Sequence, residues 1–177
     1  GDGICDLNGN VWEWNAGMRL VDGEIQIIPY NNAAMGSKCD MSASSTLWKA
    51  IKADGSLVEP GTAGTLKWDW VSGKIQLTSG AITYKTDSGV GGQYKDMTLA
   101  SGLTAPEIAK MLLLYPDEPN GDYAGDYHWF NPVGERLPVC GGGWYNGASA
   151  GVFGLDLDNP RSNARWNLGF RSAFVDL

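Results

Sequence analysis

Basic charge is scarce: 13 lysines and arginines stand against 20 acidic residues over 177 positions, a formal charge of −7. Such a chain has no electrostatic footprint for nucleic acid or for an anionic lipid surface. Histidine is scarcer still, with His128 alone. Metal centres that need two or three imidazoles are excluded by that count. A Ser-His-Asp or Cys-His arrangement would have to be built on His128, and its setting, Asp126-Tyr127-His128-Trp129-Phe130, reads as a packed strand or turn. Cys5, Cys39 and Cys140 are an odd, widely spaced set, which argues against a disulfide-dense scaffold and a thiolate zinc site. They read as small buried apolar residues, with one disulfide between two of them left open. The longest apolar run, Met111 to Leu114, is broken at Tyr115-Pro116, so no stretch approaches membrane-spanning length. Gly1-Asp2-Gly3 has neither the positive region nor the apolar stretch of a signal peptide. Phosphate-loop and dinucleotide glycine motifs are missing too.

What the sequence does have is 25 glycines together with 8 tryptophans. Glycine at that level is needed by turns, and tryptophan supplies large buried area, a pairing that does not fit a helical bundle. Helical patterning is limited to two places. Thr104-Ala105-Pro106-Glu107 has capping-box form, and Ile108, Met111, Leu112 and Tyr115 then share a face before Pro116. A second short helix is expected from Ser45 through Ala53, with Leu47, Trp48 and Ile51 inward and Asp54-Gly55 as its stop. Strand signals are more numerous: Glu24 to Pro29, Leu66 to Trp70 turning at Ser72-Gly73 into Ile75 and Leu77, Ala81 to Thr86, and Gly169 to Val175. The acidic group Asp117, Glu118, Asp122 and Asp126 is spaced wrongly for a calcium loop and reads as a solvated turn-rich segment. Nothing repeats at a fixed period and no low-complexity linker divides the chain. The expectation is one loop-rich domain with few helices and several short strands.

Between Gly141 and Phe170, Ala150, Val152, Leu155 and Leu157 look like apolar anchors. Tyr145, Ser149, Gly154, Asp156, Asp158, Arg165 and Trp166 fall between them, the mixture of rigid aromatic and adaptable polar side chains that recognition surfaces use. The alternative is that Tyr145 and Trp166 are core aromatics of a glycine-rich β fold. Trp12, Trp14 and Trp144, each flanked by glycine motifs, are expected to lock irregular backbone in place.

Two stretches are too particular for generic loops. Asp6-Leu7-Asn8 leads into Gly9-Asn10-Val11-Trp12-Glu13-Trp14, and Gly134-Glu135-Arg136-Leu137-Pro138 leads through Gly141-Gly142-Gly143-Trp144 to Gly169-Phe170-Arg171-Ser172-Ala173. In this order they resemble the formylglycine-generating-enzyme (sulfatase-modifying factor) family, which has a variant of the C-type lectin fold. Gly142 through Phe153, followed by Leu155-Asp156-Leu157-Asp158-Asn159-Pro160-Arg161-Ser162, is similar to the variable region of diversity-generating retroelement proteins. In those proteins the C-terminal segment of a C-type lectin fold is rewritten by adenine-directed mutagenesis. From about Asn31 to Tyr127 the chain carries no motif of either family.

The resemblance implies an α+β, C-type-lectin-like fold of the formylglycine-generating-enzyme variant, loop-rich, with short antiparallel strands and about two helices. It implies a single C-type-lectin-like domain over residues 1–177, with 134–177 as the variable, ligand-binding segment. In the family the Gly-Asn-x-Trp-Glu-Trp element lies well inside the domain, which leaves open that this chain is the C-terminal part of a longer protein. The implied function is non-catalytic recognition of a protein or glycan on a target cell surface, displayed on a phage tail or a bacterial cell surface, with no nucleic acid and no membrane insertion. The ligand surface would consist of Gly143, Tyr145, Ser149, Gly154, Asp156, Asp158, Asn163, Arg165, Trp166 and Asn167. Tyr145, Asp156, Arg165 and Trp166 are expected to lie exposed on one face. No cofactor is required, although matching family positions help bind structural calcium. Carried over, those ligands would be Asp6, the carbonyls of Gly9 and Val11, and Glu13, and hard oxygen donors in a tight turn suit Ca²⁺. Equally, Asp6 caps the turn and Glu13 pairs with a cation such as Arg171. A formylglycine-generating-type oxidase and a purely structural virion appendage are the alternatives. The first uses paired cysteines in the C-terminal segment, where this chain holds only Cys140.

Overall fold

The computed structural model describes residues 9–170, and its architecture is a mostly β, loop-rich α+β domain built on a mixed sheet. In chain order the strands are β1 (Trp12–Trp14), β2 (Met18–Val21), β3 (Glu24–Ile27), β4 (Lys49–Ile51), β5 (Leu57–Val58), β6 (Lys67–Val71), β7 (Lys74–Thr78), β8 (Val90–Gln93) and β9 (Thr98–Leu99). After the short helix α1 (Glu107–Met111) come β10 (Tyr127–Phe130), β11 (Glu135–Cys140), β12 (Leu155–Asn159) and β13 (Leu168–Gly169). Single 3₁₀ turns occupy Tyr94–Asp96 and Gly147–Ser149, and Asn32–Lys38 holds two 3₁₀ turns broken by a kink at Gly36 (φ 58°).

The strands follow the path β8-β10-β12-β11-β2-β3-β6-β7-β9, with β1 on β11 and β4 on β3. Pairing is antiparallel except for β10 with β12, β7 with β9 and β1 with β13. β11 joins the two halves: Glu135 and Arg136 pair with β2, and Val139 and Cys140 pair with β12. A register shift between Leu137 and Val139 accommodates Pro138, which has no N–H for a ladder. Ser72 (φ 52°) and Gly73 (φ 77°) are consecutive left-handed residues, as a two-residue hairpin turn requires, and Asp22 (φ 48°) with Gly23 (φ 79°) does the same between β2 and β3.

The core packs Leu20, Ile25, Leu66, Trp68, Ile75, Leu77, Phe130, Leu155 and Leu157, all buried. Trp68 satisfies its indole N–H by donating to the Leu114 carbonyl at 3.0 Å. His128 belongs to this layer rather than to any site. Its ring stacks on Tyr94 at 4.4 Å and its Nε2 lies 2.8 Å from the Phe153 carbonyl oxygen.

Four expectations fail here for physical reasons. Residues 45–53 form no helix. Asp54-Gly55 instead turns β4 onto β5, with Lys52 N–H donating to Ser56 O at 2.8 Å and Asp54 Oδ1 accepting the Ser56 N–H. Cross-strand pairing of buried Ala50 and Ile51 thus outweighs the helical spacing of Leu47, Trp48 and Ile51. Residues 81–86 form no strand, because the buried Asp69 carboxylate takes the N–H groups of Thr83 and Tyr84 and the Thr83 hydroxyl, each at 2.9 Å. α1 is shorter than its pattern, starting after Pro106 without a side-chain cap and stopping before Leu113 (φ 58°), so Met111 points to solvent. Asp126 is buried, not solvated, and accepts the Phe153 N–H at 2.8 Å. Of the strand expected at Gly169 to Val175, only Gly169 and Phe170 are among the described residues, and of these Gly169 closes β13.

Candidate functional site

Two loops, one between β11 and β12 and one between β12 and β13, come together. The first follows β11. Gly141 N–H donates to Gly154 O at 3.1 Å, pinning the loop closed at its base. Gly142 (φ 77°) lies so close to Ala150 that a Cβ there would fall 2.5 Å from the alanine's own. Asn146 Oδ1 accepts the Gly143 N–H at 2.8 Å, and Trp144 N–H donates to Asn10 O at 2.9 Å. These bonds fix the backbone that carries Trp144 and Tyr145.

The second loop, residues 160–167, is held at both ends. At its start Arg161 grips Glu135 with two hydrogen bonds of 2.9 and 2.8 Å, and Arg19 holds the same carboxylate from the other side at 2.8 Å. Asn163 Nδ2 donates to Asn159 Oδ1 at 2.7 Å. At its end the Asn167 carbonyl accepts the Trp12 N–H at 3.0 Å, while Asn167 Nδ2 donates to the Tyr145 hydroxyl.

Trp144, Tyr145 and Trp166 thereby come together, 65%, 46% and 76% exposed. Their ring centroids are 5.7 Å (Trp144–Tyr145), 6.4 Å (Trp144–Trp166) and 6.1 Å (Tyr145–Trp166) apart, with planes inclined by 87°, 46° and 54°. Large aromatic side chains gathered in water bury less apolar area than they would in a core, so the fold gains little stability from displaying them.

β10 and β12 carry an aromatic and acidic row. The Trp12 ring meets Trp129 edge-on at 5.5 Å, and Trp129 is the cross-strand partner of Asp156. Burial alternates along β12, so Leu155, Leu157 and Asn159 face the core and the half-buried Asp156 and Asp158 face away from it. Burial pushes the Asp156 carboxyl up to about 6, and the Asp158 charge adds to this. The Asp158 N–H donated to it at 2.8 Å, Asn159 and the charge of Arg165 pull the other way without compensating.

The ten residues expected on the ligand surface divide three ways. Tyr145, Arg165 and Trp166 are exposed, while Ser149, Asp158, Asn163 and Asn167 are half-buried, the two asparagines spending their amides on the loop frame. Asp156, expected to be exposed, is half-buried too, opposite Trp129 in the β10–β12 register. Gly143 and Gly154 are buried and act as spacers, since a Cβ on Gly143 would meet the Tyr145 ring at 2.7 Å. Trp144 is the residue that sequence reasoning assigned to the frame and the structure places on the surface. Val152, expected as an anchor, is exposed as well.

Among the described residues Cys39 and Cys140 are free thiols. Burial pushes the Cys140 thiol up, away from the thiolate that nucleophilic or redox chemistry needs. Of the calcium ligands implied by resemblance, Asp6 lies outside the described residues. Gly9, Val11 and Glu13 sit where the chain enters β1. Glu13 is their one carboxylate, and the described residues include no group of three His, Cys, Asp or Glu side chains arranged around a metal position. No helix among the described residues is long and apolar enough to cross a membrane. No protein-family model matches the sequence, and no curated protein matches it at a significant level.

Proposed function

We propose that this chain is a non-catalytic recognition module whose ligand surface is centred on Trp144, Tyr145 and Trp166. The observation that carries the reading is the exposed aromatic cluster itself, three large rings held out on backbone fixed by Gly141–Gly154, Asn10–Trp144 and Trp12–Asn167 hydrogen bonds. Exposed, rigidly presented tryptophan and tyrosine are the anchors that dominate binding energy at interfaces. The C-type-lectin-like fold of the formylglycine-generating-enzyme variant belongs to the same proposal. So does diversification of segment 134–177 by a retroelement, with display on a phage tail or bacterial surface toward a protein or glycan of a target cell.

The division of labour between the side chains supports diversification. Ala164, Arg165 and Trp166 are exposed, while Arg161, Asn163 and Asn167 hold the loop ends. Sequencing the same locus from several isolates tests this. Substitutions concentrated at 144, 145 and 164–166, with Glu135, Arg161 and Gly141 to Gly143 kept, are expected. Uniform drift along the chain would show a structural appendage instead.

A further inference from the structure

We infer that the Arg19 guanidinium is a positioning group of the recognition surface, acting through Glu135 on Arg161 and so on the loop that carries Trp166. This rests on the reading of Trp166 as part of a ligand site and names what sets its place. β2 pairs with β3 so that Arg19 lies opposite Gln26, and Glu24, two positions before Gln26, shares that face. From there an unbroken polar chain runs to the loop. Glu24 accepts the Thr65 hydroxyl at 2.6 Å, the Gly61 N–H at 3.1 Å and the Gln26 amide at 2.8 Å. Gln26 Oε1 accepts Arg19 Nε at 2.8 Å, and Arg19 Nη1 donates to Glu135 Oε1 at 2.8 Å. Glu135 then takes Arg161 Nε at 2.9 Å and Nη2 at 2.8 Å.

Arg19 is fixed independently of the loop. Its Nη1 also donates to the Ala43 carbonyl at 3.0 Å, and its guanidinium carbon lies 4.3 Å from the Trp48 ring centroid. A carboxylate held by such a group meets the Arg161 fork with its own rotamer entropy already spent, a cost that a free surface pair bears on pairing. Signs alternate along Glu24, Arg19, Glu135 and Arg161, so no charge in the chain is left uncompensated. Hydrogen bonds from Arg161 and then Arg19 outweigh burial and hold the Glu135 carboxyl below its usual range, which keeps it ionised at neutral pH. Arg161 follows Pro160, whose carbonyl accepts the Asn163 N–H at 2.9 Å, so the turn that opens the loop stands directly on this pair. A lysine at position 19 would keep the charge, but its compact head lacks the planar fork that spans Gln26, Ala43 and Glu135.

Amide hydrogen exchange tests this in Arg19→Lys, Arg161→Met and the double variant. It is read at Asn163 and, as a reference outside the loop, at Trp68, whose N–H donates to the Gly23 carbonyl at 3.1 Å. In Arg19→Lys the Asn163 amide is expected to exchange about tenfold faster, while Trp68 stays within about twofold. Arg161→Met should do the same. The double variant should be no faster than Arg161→Met alone, because both changes act on one link between a carboxylate and the loop. With 5-fluorotryptophan, the Trp166 fluorine resonance, assigned through Trp166→Phe, should shift in both single variants as the ring leaves Trp144 and Tyr145. Gln26→Leu frees Arg19 Nε and leaves its charge. It is expected to give the same change, and it carries the test if Arg19→Lys does not fold. An unchanged Asn163 rate in the position-19 or position-26 variant, or additive effects in the double variant, would overturn the inference. An equal rise at Asn163 and Trp68 would make Arg19 a core residue only and overturn it as well. None of these outcomes depends on a ligand, so the locus comparison described above decides the recognition reading separately.

Discussion

Asp156→Asn should make this protein more stable at neutral pH. The carboxyl of Asp156 is raised from 3.8 to about 6. A folded state that raises a carboxyl holds its proton more tightly than the unfolded chain does. The associated stability is therefore complete below pH 3.8 and is lost as pH rises through about 6. At pH 7 the ionised group then opposes folding by about 3 kcal/mol, an upper figure from the size of the displacement. Asparagine resembles the protonated acid in shape and still accepts the Asp158 N–H through its Oδ1. The variant should gain up to about 3 kcal/mol at pH 7, about 1 M in urea midpoint, and nothing at pH 3.5. Urea unfolding of both proteins at pH 7, 5.5 and 3.5 measures this. Other titrating groups contribute equally to the two proteins and cancel in the difference. A gain that does not depend on pH, or a loss of stability at pH 7, would refute the argument.

Other substitutions probe the frame and the core. Burial pushes His128 down to about 3, so its neutral ring supports folding above pH 6.5 and that support is lost toward pH 3, by up to about 1.4 kcal/mol per pH unit. His128→Phe should flatten the fall in urea midpoint between pH 6.5 and 5, and an unchanged slope would count against a buried neutral imidazole. Asp69→Ala removes the acceptor that holds residues 83 and 84. It should lower stability by about 3 kcal/mol and release those two amides to fast hydrogen exchange. Trp68→Ala should remove about 3–5 kcal/mol by opening the core, whereas Trp166→Ala should stay within about 0.5 kcal/mol. Thermal unfolding of the pair checks the contrast, and a large loss at Trp166 would make it a packing residue.

Local chemistry in the sequence was readable wherever it agreed with distant pairing. Ser72-Gly73 is a hairpin turn in any context, and so β6 and β7 followed from it. Where a remote partner decided the outcome, local pattern misled. The spacing of Leu47, Trp48 and Ile51 suits a helix, yet β3 and Asp54-Gly55 draw that stretch into strands. The residues after Ala81 alternate well enough for a strand, but Asp69, on β6 and outside the local pattern, takes their N–H groups. At the site, the residue pattern alone left Tyr145 and Trp166 open as core aromatics, and their placement on the surface was expected only through the resemblance. Trp144 was not expected there, since a tryptophan after glycines looks the same whether it locks the backbone or is displayed by it. Asp156 failed for a similar reason: charge marks a residue as polar, but only its place on β12 between β10 and β11 makes it half-buried.

The pairing of β1 with β13 also sets an order of assembly. Trp12 and Leu168 are adjacent in space although nearly the whole described chain lies between them. Closing a loop of roughly 150 residues is entropically slow to reward, so this pair is among the last contacts to form. On a ribosome the aromatic cluster cannot exist until residue 167 has emerged, because the Asn167 carbonyl completes the frame by meeting Trp12. Residues 144, 145 and 164–166 lie outside β12 and the other strands, so they can change without altering the pairing of the sheet.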